Sequence, residues 1–249
     1  MDYKKFYERV GAVIGWDFKE IDKRKIVVGK KWDFLEIVKN YVDKKVILLD
    51  IGTGGGEKLL QVSKFVKKAY GIDHSKEMIK TAEKNLVKSK ILNVEFKFAE
   101  AKKIPYPDNF FDVVICRHSP FFVNELSRIL KSKGIFITQH VGEKDKENIK
   151  KIFGRGQDFE KKVNTSMNKY INNLKKAKFT ILRKDVYSAT EYYYNMKDLI
   201  FLLKNTPIIP NFDIKKDRNF LKEIEQKYKT NKGIKTNSFR YLIIGRKSI

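Results

Sequence analysis

The stretch "VILLDIGTGGGEKLL", residues 46–60, decides the fold class of this chain. An apolar run rich in β-branched residues ends in the acid Asp50, and glycines follow at positions 52, 54, 55 and 56. The run predicts a buried strand that is covered on both faces, and the glycines predict a tight turn into a helix. A glycine-rich turn in this position indicates a site for the polar part of a nucleotide-like ligand.

The spacing of the glycines selects among the ligands that such a turn can hold. A dinucleotide turn has the pattern G-x-G-x-x-G, whereas here the glycine at position 56 comes one residue early and Glu57 takes the last position. The stretch also lacks the Gly-Lys-Ser/Thr end of a P-loop. A carboxylate at Asp50 would repel a pyrophosphate, but it suits a ligand with an ammonium or sulfonium charge. The pattern D-x-G-x-G-x-G therefore favours S-adenosylmethionine (SAM) over NAD.

Strand-like and helix-like segments alternate around this turn. The strand patterns "KVILLDI", "AYGID", "VEFKFAEA", "FDVVICRH" and "GIFITQHV" are separated by amphipathic helical patterns, and two later strands, "FTILRKDVYSATEY" and "SFRYLIIGRK", flank a long insertion. Strands that alternate with helices require right-handed crossovers and a parallel sheet. We therefore predict an α/β fold with a doubly wound, mostly parallel sheet of seven strands.

The predicted organisation has four parts. Cap helices occupy residues 1–43, the ligand-binding α/β core residues 44–191, an insertion residues 192–236, and the last, antiparallel strand residues 237–249. Ligands of open α/β sheets lie at the carboxyl ends of the parallel strands, and the sixth strand should end at that edge. We therefore expect the insertion to act as a lid over the site, with the segment around Trp16 closing the other side.

The composition limits the kinds of partner. Basic residues number 54 against 30 acidic ones, for a net charge of +24, but only nine of the 54 are arginine. An RNA partner would account for this charge. A solvated, lysine-rich surface would account for it as well, and the scarcity of arginine favours that alternative, because the arginine guanidinium binds phosphates and base edges better than the lysine ammonium does. Both interpretations stay open. A single cysteine, Cys116, excludes an intramolecular disulfide, and three scattered histidines predict no metal site.

Targeting signals are not recognisable in the sequence. The N-terminal stretch "MDYKKFYERVGAVIGWDF" has no apolar core of the signal-peptide type. No run of about 18 apolar residues follows it, so we expect no membrane span. These features predict a cytoplasmic protein.

Four stretches within residues 44–141 carry a resemblance to a known family. They are "LLDIGTGGG", "YGIDHSKEMIKTAEKN", "FKFAEAKKIPYPDNFFDVVICRHS" and "ELSRILKSKGIFITQ". In this order they resemble the motifs of the class I SAM-dependent methyltransferases, in the branch typified by the ubiquinone and menaquinone biosynthesis C-methyltransferases. The resemblance implies SAM as methyl donor and a small molecule as acceptor. The alternatives are an RNA methyltransferase acting on rRNA or tRNA, and a non-catalytic module that binds SAM or RNA.

The resemblance also implies roles for individual residues. Asp73, which closes the second strand, would accept both ribose hydroxyls, with capping of the next helix as the alternative. Glu100, which would meet the adenine edge, stands where the family often has Asp. The full set of expected SAM-binding residues is Asp50, Gly52, Gly54, Asp73, His74, Met78, Glu100, Ala101 and Arg117.

Fewer residues are assigned to the acceptor side. His118 is the candidate general base, although methyl transfer needs a base only when the acceptor must lose a proton. Trp16, Tyr192 and Tyr193 are candidate walls of the acceptor site, with packing of a cap onto the sheet as the alternative. The fourth strand is followed by "RHSP" and not by an Asn-Pro-Pro-Tyr-type tetrad, so the amino-methylating DNA and protein enzymes are a poorer match.

Overall fold

The computed structural model of this protein describes residues 2–14 and 18–248, and within these ranges the chain forms nine strands and ten helices. The strands are β1 (Ile26–Val28), β2 (Ile47–Ile51), β3 (Lys68–Asp73), β4 (Val94–Phe98), β5 (Phe111–Arg117), β6 (Leu130–Val141), β7 (Phe179–Tyr193), β8 (Lys229–Thr230) and β9 (Gly233–Lys247). The helices are α1 (Tyr3–Ile14), α2 (Lys19–Arg24), α3 (Phe34–Lys39), α4 (Glu57–Ser63), α5 (Lys76–Ser89), α6 (Val123–Ile129), α7 (Glu147–Phe153), α8 (Thr165–Lys176), α9 (Met196–Asn205) and α10 (Arg218–Tyr228).

The strands join one sheet in the order β1-β7-β9-β6-β5-β2-β3-β4, and β8 pairs with β9 outside this path. Strands β2 to β6 pair with one another in parallel. Strand β9 is antiparallel to both β6 and β7, so β7 runs in the same direction as β6. Strands β2 to β7 therefore all end at one edge of the sheet, where doubly wound sheets bind their ligands.

The predicted doubly wound, mostly parallel α/β sheet is confirmed, and its seven predicted strands correspond to β2–β7 and β9. The sequence pattern predicts neither of the two short strands. Strand β1 pairs with β7 in antiparallel fashion, with Ile26 opposite Tyr192. Strand β8 pairs with the start of β9, with Thr230 opposite Gly233, inside the segment predicted as an insertion. Strands of two or three residues are too short to produce a periodic pattern.

Apolar side chains form a core on each face of the sheet. On one face, Leu48 and Ile244 pack with residues of α3, α4 and α5. On the other face, Leu49 and Ile243 pack with residues of α6 and α8. Because successive strand residues point to opposite faces, the unbroken apolar run of β2 contributes to both cores.

The segment between β7 and β9 is a packed part of the fold. Leu203 of α9 and Ile224 of α10 are buried in a cluster that also contains Ile21 of α2 and residues of α7. The same segment is tied to α2 by an ion pair in which Arg24 donates to Asp198 at 2.7 and 3.2 Å. These contacts place α2 and α9 side by side at the edge where the parallel strands end.

Candidate functional site

A cavity of about 540 Å³ lies at the edge where β2, β5, β6 and β7 end. Residues at these strand ends line it, among them Asp50, Arg117 and Glu191. Residues from the N-terminal segment 18–25 form one wall, and residues 202–208 of the segment between β7 and β9 form another. The cavity therefore connects the glycine turn with the segment that the sequence predicts to be a lid.

The structure brings only part of the expected site to this cavity. The expected residues that line it are Asp50, Gly52, Gly54, Arg117, His118 and Tyr193. The other expected residues that the structure describes lie outside its walls, namely Asp73, His74, Met78, Glu100, Ala101 and Tyr192. Trp16 is outside the described residues.

The glycine turn connects β2 to α4 beside the cavity. Gly52 has a φ of +74°, and a Cβ atom there would lie 2.2 Å from both Cβ and Oγ of Ser119, so glycine is required. The turn is attached to β3, because the amides of Gly52 and Thr53 donate to the Ile72 carbonyl at 2.9 and 3.0 Å. The contact with Ser119 brings the loop that follows β5 directly against the turn.

Asp73, the last residue of β3, directs its carboxylate toward the glycine turn. Its Oδ2 accepts a hydrogen bond from the Gly54 amide at 3.0 Å, and its Oδ1 accepts one from the Ser75 amide at 2.9 Å. The N-cap of α5 is Ser75, whose hydroxyl accepts from the Met78 amide, so Asp73 is not the cap. A carboxylate offers about four lone-pair positions, which leaves Asp73 with capacity for the hydroxyl groups of a ligand.

Asp50, at the end of β2, is a carboxyl group of unusual affinity for protons. It is 5% exposed. Burial, with a smaller contribution from the charge of Asp73, raises its pKa to about 7 against the opposing effects of Thr53 and Arg117. A cationic group close to this carboxyl would favour its ionised form, because opposite charges stabilise each other at short distance. The position therefore suits a ligand with an ammonium group.

Helix α1 covers the start of α5, where two further cofactor contacts are expected. Met78 is 3% exposed and packs against Phe6 and Val10. The ring of Tyr7 meets the ring of His74 edge-on, at 5.7 Å between centroids, and 39% of the His74 side chain is exposed. His74 is therefore open to a ligand, whereas contact between Met78 and an adenine ring would require α1 to be displaced.

Glu100 and Ala101 follow β4 at the same edge of the sheet as Asp73. The Ala99 amide donates to the Asp73 carbonyl at 3.0 Å, which holds the two strand ends together. The Glu100 carboxylate lies 2.9 Å from the Lys102 ammonium and is about half exposed. Both expected adenine contacts are thus beside Asp73, on the side of the glycine turn away from the cavity.

Hydrogen bonds determine the tautomer of His118. The indole Nε1 of Trp32 donates to Oε1 of Gln139 at 2.8 Å, and Nε2 of Gln139 lies 3.3 Å from Nε2 of His118. Because an indole N–H can only donate, the amide nitrogen of Gln139 must face His118 and donate to it. The neutral imidazole therefore carries its proton on Nδ1, which has no hydrogen-bond partner among the residues that the structure describes.

The surroundings of His118 also keep the ring neutral. Burial, together with the charges of Arg117 and Arg240, holds the pKa of His118 well below its ordinary value. With Nε2 accepting a hydrogen bond and Nδ1 protonated, the ring offers a donor and has no free lone pair. This arrangement does not fit the general-base role that the sequence suggests.

A group of paired charges forms the cavity floor beside β6, β7 and β9. Lys146, which is 2% exposed, donates to Oε2 of Glu191 at 2.6 Å. Arg240 donates to Asp145, and the Lys25 ammonium lies 3.8 Å from Oε1 of Glu191. We call these five residues the floor cluster. Burial alone would raise the pKa of Glu191, but the charges of Lys146, Lys25 and Arg240 outweigh it and lower that pKa.

The sequence pattern does not predict the floor cluster, although β9 contains a signal for it. Arg240 stands two and four residues before Leu242 and Ile244, so all three share one face of the strand. Both apolar residues are fully buried. A cation on an apolar strand face must have a buried partner, but the pattern does not say which carboxylate supplies it.

The expected aromatic walls separate onto the two faces of β7. Tyr193 lines the cavity, is 2% exposed, and donates its hydroxyl hydrogen to Oε2 of Glu191 at 3.2 Å. Tyr192 points to the opposite face, where the Lys232 ammonium lies 5.8 Å from the centre of its ring. Of these two tyrosines, only Tyr193 is placed to contact a molecule in the cavity.

Within residues 2–14 and 18–248, no group of three or more His, Cys, Asp or Glu side chains is arranged to hold a metal ion. The helices in these ranges include none that is long and apolar enough to cross a membrane. Cys116 is a buried strand residue whose thiol donates to the Ser119 carbonyl at 3.0 Å.

Comparison with known proteins finds methyltransferases. Residues 42–205, more than half of the chain, match the family model described as a methyltransferase domain. The uncharacterized methyltransferase YcgJ of Bacillus subtilis is 34% identical over 97 residues, which are 36% of this chain and 38% of that protein. A demethylmenaquinone methyltransferase of a Geobacillus species is 27% identical over 146 residues, which are 53% of this chain and 62% of that protein. The chain thus spans less than two thirds of either relative.

Solved structures agree with this match at the level of the fold. The crystal structure of the YcgJ protein from Bacillus subtilis superposes with a TM-score of 0.61 at 20% identity. The superposition covers 86% of this chain and 98% of that one. A likeness at this identity shows the fold alone. Together with the family match, it confirms the resemblance that the four sequence stretches indicate.

Proposed function

We propose that this chain, which belongs to the class I SAM-dependent methyltransferases, transfers the methyl group of SAM to a small-molecule acceptor. The observation that carries the proposal is the cavity of about 540 Å³ between the glycine turn and residues 202–208. Pockets for small molecules have volumes of about 300–1,000 Å³. The cavity therefore has the size for a small acceptor beside the reactive end of the cofactor.

The residues around the glycine turn fit SAM. Asp73 retains acceptor capacity for the ribose hydroxyls, and the positive φ angles of Gly52 and Gly54 let the backbone approach the methionine moiety. The Asp50 carboxyl suits the ammonium group of that moiety. Bound SAM supplies a methyl group on a sulfonium centre, which is the electrophile. The contribution of the chain is to hold the nucleophile of the acceptor in line with it.

His118 would act as a hydrogen-bond donor rather than as a base. It lines the cavity. Its Nδ1–H is unpaired within the described part of the chain but is buried, so the proposed role requires the ring to turn Nδ1 toward a bound acceptor, which it would orient through an oxygen or nitrogen lone pair. An acceptor atom that already has a free lone pair needs no proton removal before the methyl group is transferred.

The segment between β7 and β9 would form the wall that closes over the acceptor. Leu202, Pro207 and Ile208 line the cavity from this segment. Its apolar cluster attaches these residues to α2 and α7. Apolar walls exclude water from the reacting groups, so this placement supports the lid function that the sequence predicts. Because the segment is part of a core cluster, point substitutions at Leu202 or Ile208 are a better test of the lid than its deletion.

Titration calorimetry with SAM and with S-adenosylhomocysteine, its demethylated product, tests the cofactor part of the proposal. We expect both to bind, and the absence of binding to a protein that circular dichroism shows to be folded would reject it. A transfer assay with methyl-labelled SAM and fractionated cell extract tests the acceptor class. We expect the label in the small-molecule fraction, and label confined to the protein fraction would reject a small-molecule acceptor.

Methylation of RNA is the second candidate, and the net charge of +24 favours it. Contacts with phosphates weaken steeply as salt increases, so a functional RNA surface should still hold total RNA at about 200 mM salt. Binding under these conditions, together with label in the RNA fraction, would replace the small molecule by RNA. Release of RNA at lower salt would identify the charge as a solvated, lysine-rich surface.

A further inference from the structure

The cations that line the cavity differ in whether they have a counterion. In the floor cluster, Arg240 is paired with Asp145, and Lys146 with Glu191. Arg117, at the end of β5, makes no side-chain hydrogen bond and no ion pair within 4.0 Å with any residue that the structure describes. Its side chain lies between the cavity walls, yet more than a third of its surface is open to the cavity.

Lys58 is a second cation near Arg117 that has no counterion among the described residues. It belongs to the first turn of α4, lines the cavity, and likewise has no carboxylate within ion-pair distance in the described ranges. Burial and the charge of Arg117 lower the pKa of Lys58, and burial and the charge of Arg240 lower that of Arg117. The charges of Asp22 and Asp33 act on both cations in the opposite direction but do not outweigh these effects. Three cations thus lie close enough to repel one another, and of the three only Arg240 forms an ion pair.

Binding of SAM does not remove this excess of positive charge. The amino and carboxyl groups of SAM cancel each other, and its sulfonium leaves a net positive charge. Asp50, which has a pKa raised to about 7 by burial, lines the cavity next to the glycine turn and is suited to the ammonium group. Partly desolvated cations without counterions are costly, so the second molecule in the cavity should supply a negative charge.

We propose that the methyl acceptor is an organic anion whose carboxylate or phosphate is held by Arg117, with Lys58 as the second cation. The planar guanidinium can bind either group through two parallel hydrogen bonds, which fixes both position and orientation. The identification of this anion as the acceptor rests on the methyl-transfer function proposed above. The anion site itself is a property of the cavity and is tested without turnover.

Matched pairs of anionic and neutral probes test the site by titration calorimetry. The pairs are benzoate with benzamide and phenyl phosphate with phenol, each measured with and without saturating S-adenosylhomocysteine. The variants are Arg117→Gln, Arg117→Lys and Lys58→Gln. The control is Arg183→Gln, which removes the same charge from an exposed ion pair with Asp185 outside the cavity.

We expect wild type and Arg183→Gln to bind at least one anion about tenfold more tightly than its neutral counterpart. Arg117→Gln should abolish this preference, Arg117→Lys should retain part of it, and Lys58→Gln should reduce it severalfold. The proposal is overturned if wild type does not distinguish anions from neutral probes, or if the preference persists in Arg117→Gln. If the thermal melt of Arg117→Gln shows that this variant is not folded, Arg117→Lys alone decides the question. An undiminished preference of Arg117→Lys for the anionic probe then overturns the proposal.

A separate arm distinguishes the acceptor from the carboxylate of the cofactor. SAM and decarboxylated SAM are titrated into wild type and Arg117→Gln. If Arg117 serves the acceptor, the substitution changes the affinity for SAM less than about threefold. A loss of more than tenfold for SAM, without a loss for decarboxylated SAM, would assign Arg117 to the cofactor and overturn the acceptor site. Failure of wild type to bind SAM at all would instead refute the proposed function, while the probe titration without cofactor still reports on the anion site.

Discussion

The glycine turn and the cavity floor are built from different kinds of contact. At the glycine turn, Asp73 lies within one β-α-β unit, and its carboxylate accepts from the backbone amides of Gly54 and Ser75. In the floor cluster, Lys146 and Glu191 come from distant parts of the chain and pair with each other. The turn therefore keeps acceptor capacity for a ligand, whereas these floor charges are satisfied internally. The contrast suggests that the turn serves binding and that the paired floor charges serve the stability of the fold.

The largest effect should follow from breaking the floor cluster. Glu191→Gln removes the carboxylate to which the Lys146 ammonium, 2% exposed, donates at 2.6 Å, and leaves it only the Asp145 carboxylate at 3.9 Å, which already pairs with Arg240. Removal of one partner of a buried ion pair costs about 3–5 kcal/mol, so we expect the free energy of unfolding in urea to fall by about 3 kcal/mol at pH 7. The double variant Glu191→Gln, Lys146→Met is the control and should regain most of this loss. A change below about 1 kcal/mol in the single variant would show that the pair is not structural.

The pH dependence of stability is a second test of whether the ion pair of Glu191 stabilises the fold. Burial opposes ionisation of Glu191, but Lys146, Lys25 and Arg240 prevail and lower its pKa. A carboxyl with a lowered folded-state pKa contributes stability above its unfolded value of about 4.3, and this contribution is lost as the pH falls. Wild type should therefore lose stability below about pH 4 more steeply than Glu191→Gln. Parallel curves for the two proteins would contradict the assignment.

At the turn, the effect should appear in binding before it appears in folding. Asp73→Ala removes the proposed partner of both ribose hydroxyls, and two such bonds to a charged group contribute about 1.5 kcal/mol each. We expect the calorimetric affinity for SAM to fall more than tenfold. Asp185→Ala, at a partly exposed carboxylate on β7 outside the cavity, is the control and should bind SAM as wild type does. Unchanged affinity in Asp73→Ala would remove Asp73 from the cofactor site.

The pH dependence of stability that Asp50 causes should be opposite in sign to the one that Glu191 causes. The pKa of Asp50 is raised to about 7 in the folded protein, above the pKa of about 3.9 of an aspartate in the unfolded chain. The free energy of unfolding is therefore highest below about pH 3.9, where the carboxyl is protonated in both states, and it falls as the pH rises through 7. Asp50→Asn removes this loss, so the variant should be more stable than wild type by about 2 kcal/mol at pH 8. It should also bind SAM more weakly, because the ammonium group loses its counterion. If stability changes equally with pH in both proteins, the Asp50 carboxyl is not perturbed.

The smallest effect is expected for Trp32→Phe, which acts on the tautomer of His118 from a distance. The substitution removes the N–H donor to Gln139, and we expect a loss of about 1 kcal/mol in the free energy of unfolding. Without that donor the Gln139 amide is free to rotate, and the imidazole becomes a mixture of tautomers. Nitrogen-15 shifts of the ring should show protonated Nδ1 in wild type and a mixture in the variant. A wild-type ring protonated on Nε2 would contradict the donor role.

The sequence predicts those parts of the molecule whose interactions are local. The glycine turn, β2 and β3 lie close together in the chain, so spacing and periodicity identify both the fold and Asp73. Strand β1 is too short to be periodic, and its hydrogen bonds depend on β7. Arg240 can be recognised as unusual from its apolar strand face, but its pairing with Asp145 depends on how β6 and β9 align. The neutral His118 depends on Trp32 and Gln139, a relation that no local pattern contains.

The pairing of β1 with β7 determines when the site can be completed during synthesis of the chain. Strand β1 ends at Val28, whereas the strand that it needs begins only at Phe179. The intervening parallel strands can associate as they leave the ribosome, but residues 18–28 have no sheet edge to join until β7 has been made and β9 has attached it to β6. Contacts over such separations form slowly, so we expect the glycine turn to be in place while the N-terminal wall is still undocked. A nascent chain halted before β7 would thus display an open, half-built pocket to the folding machinery of the cell.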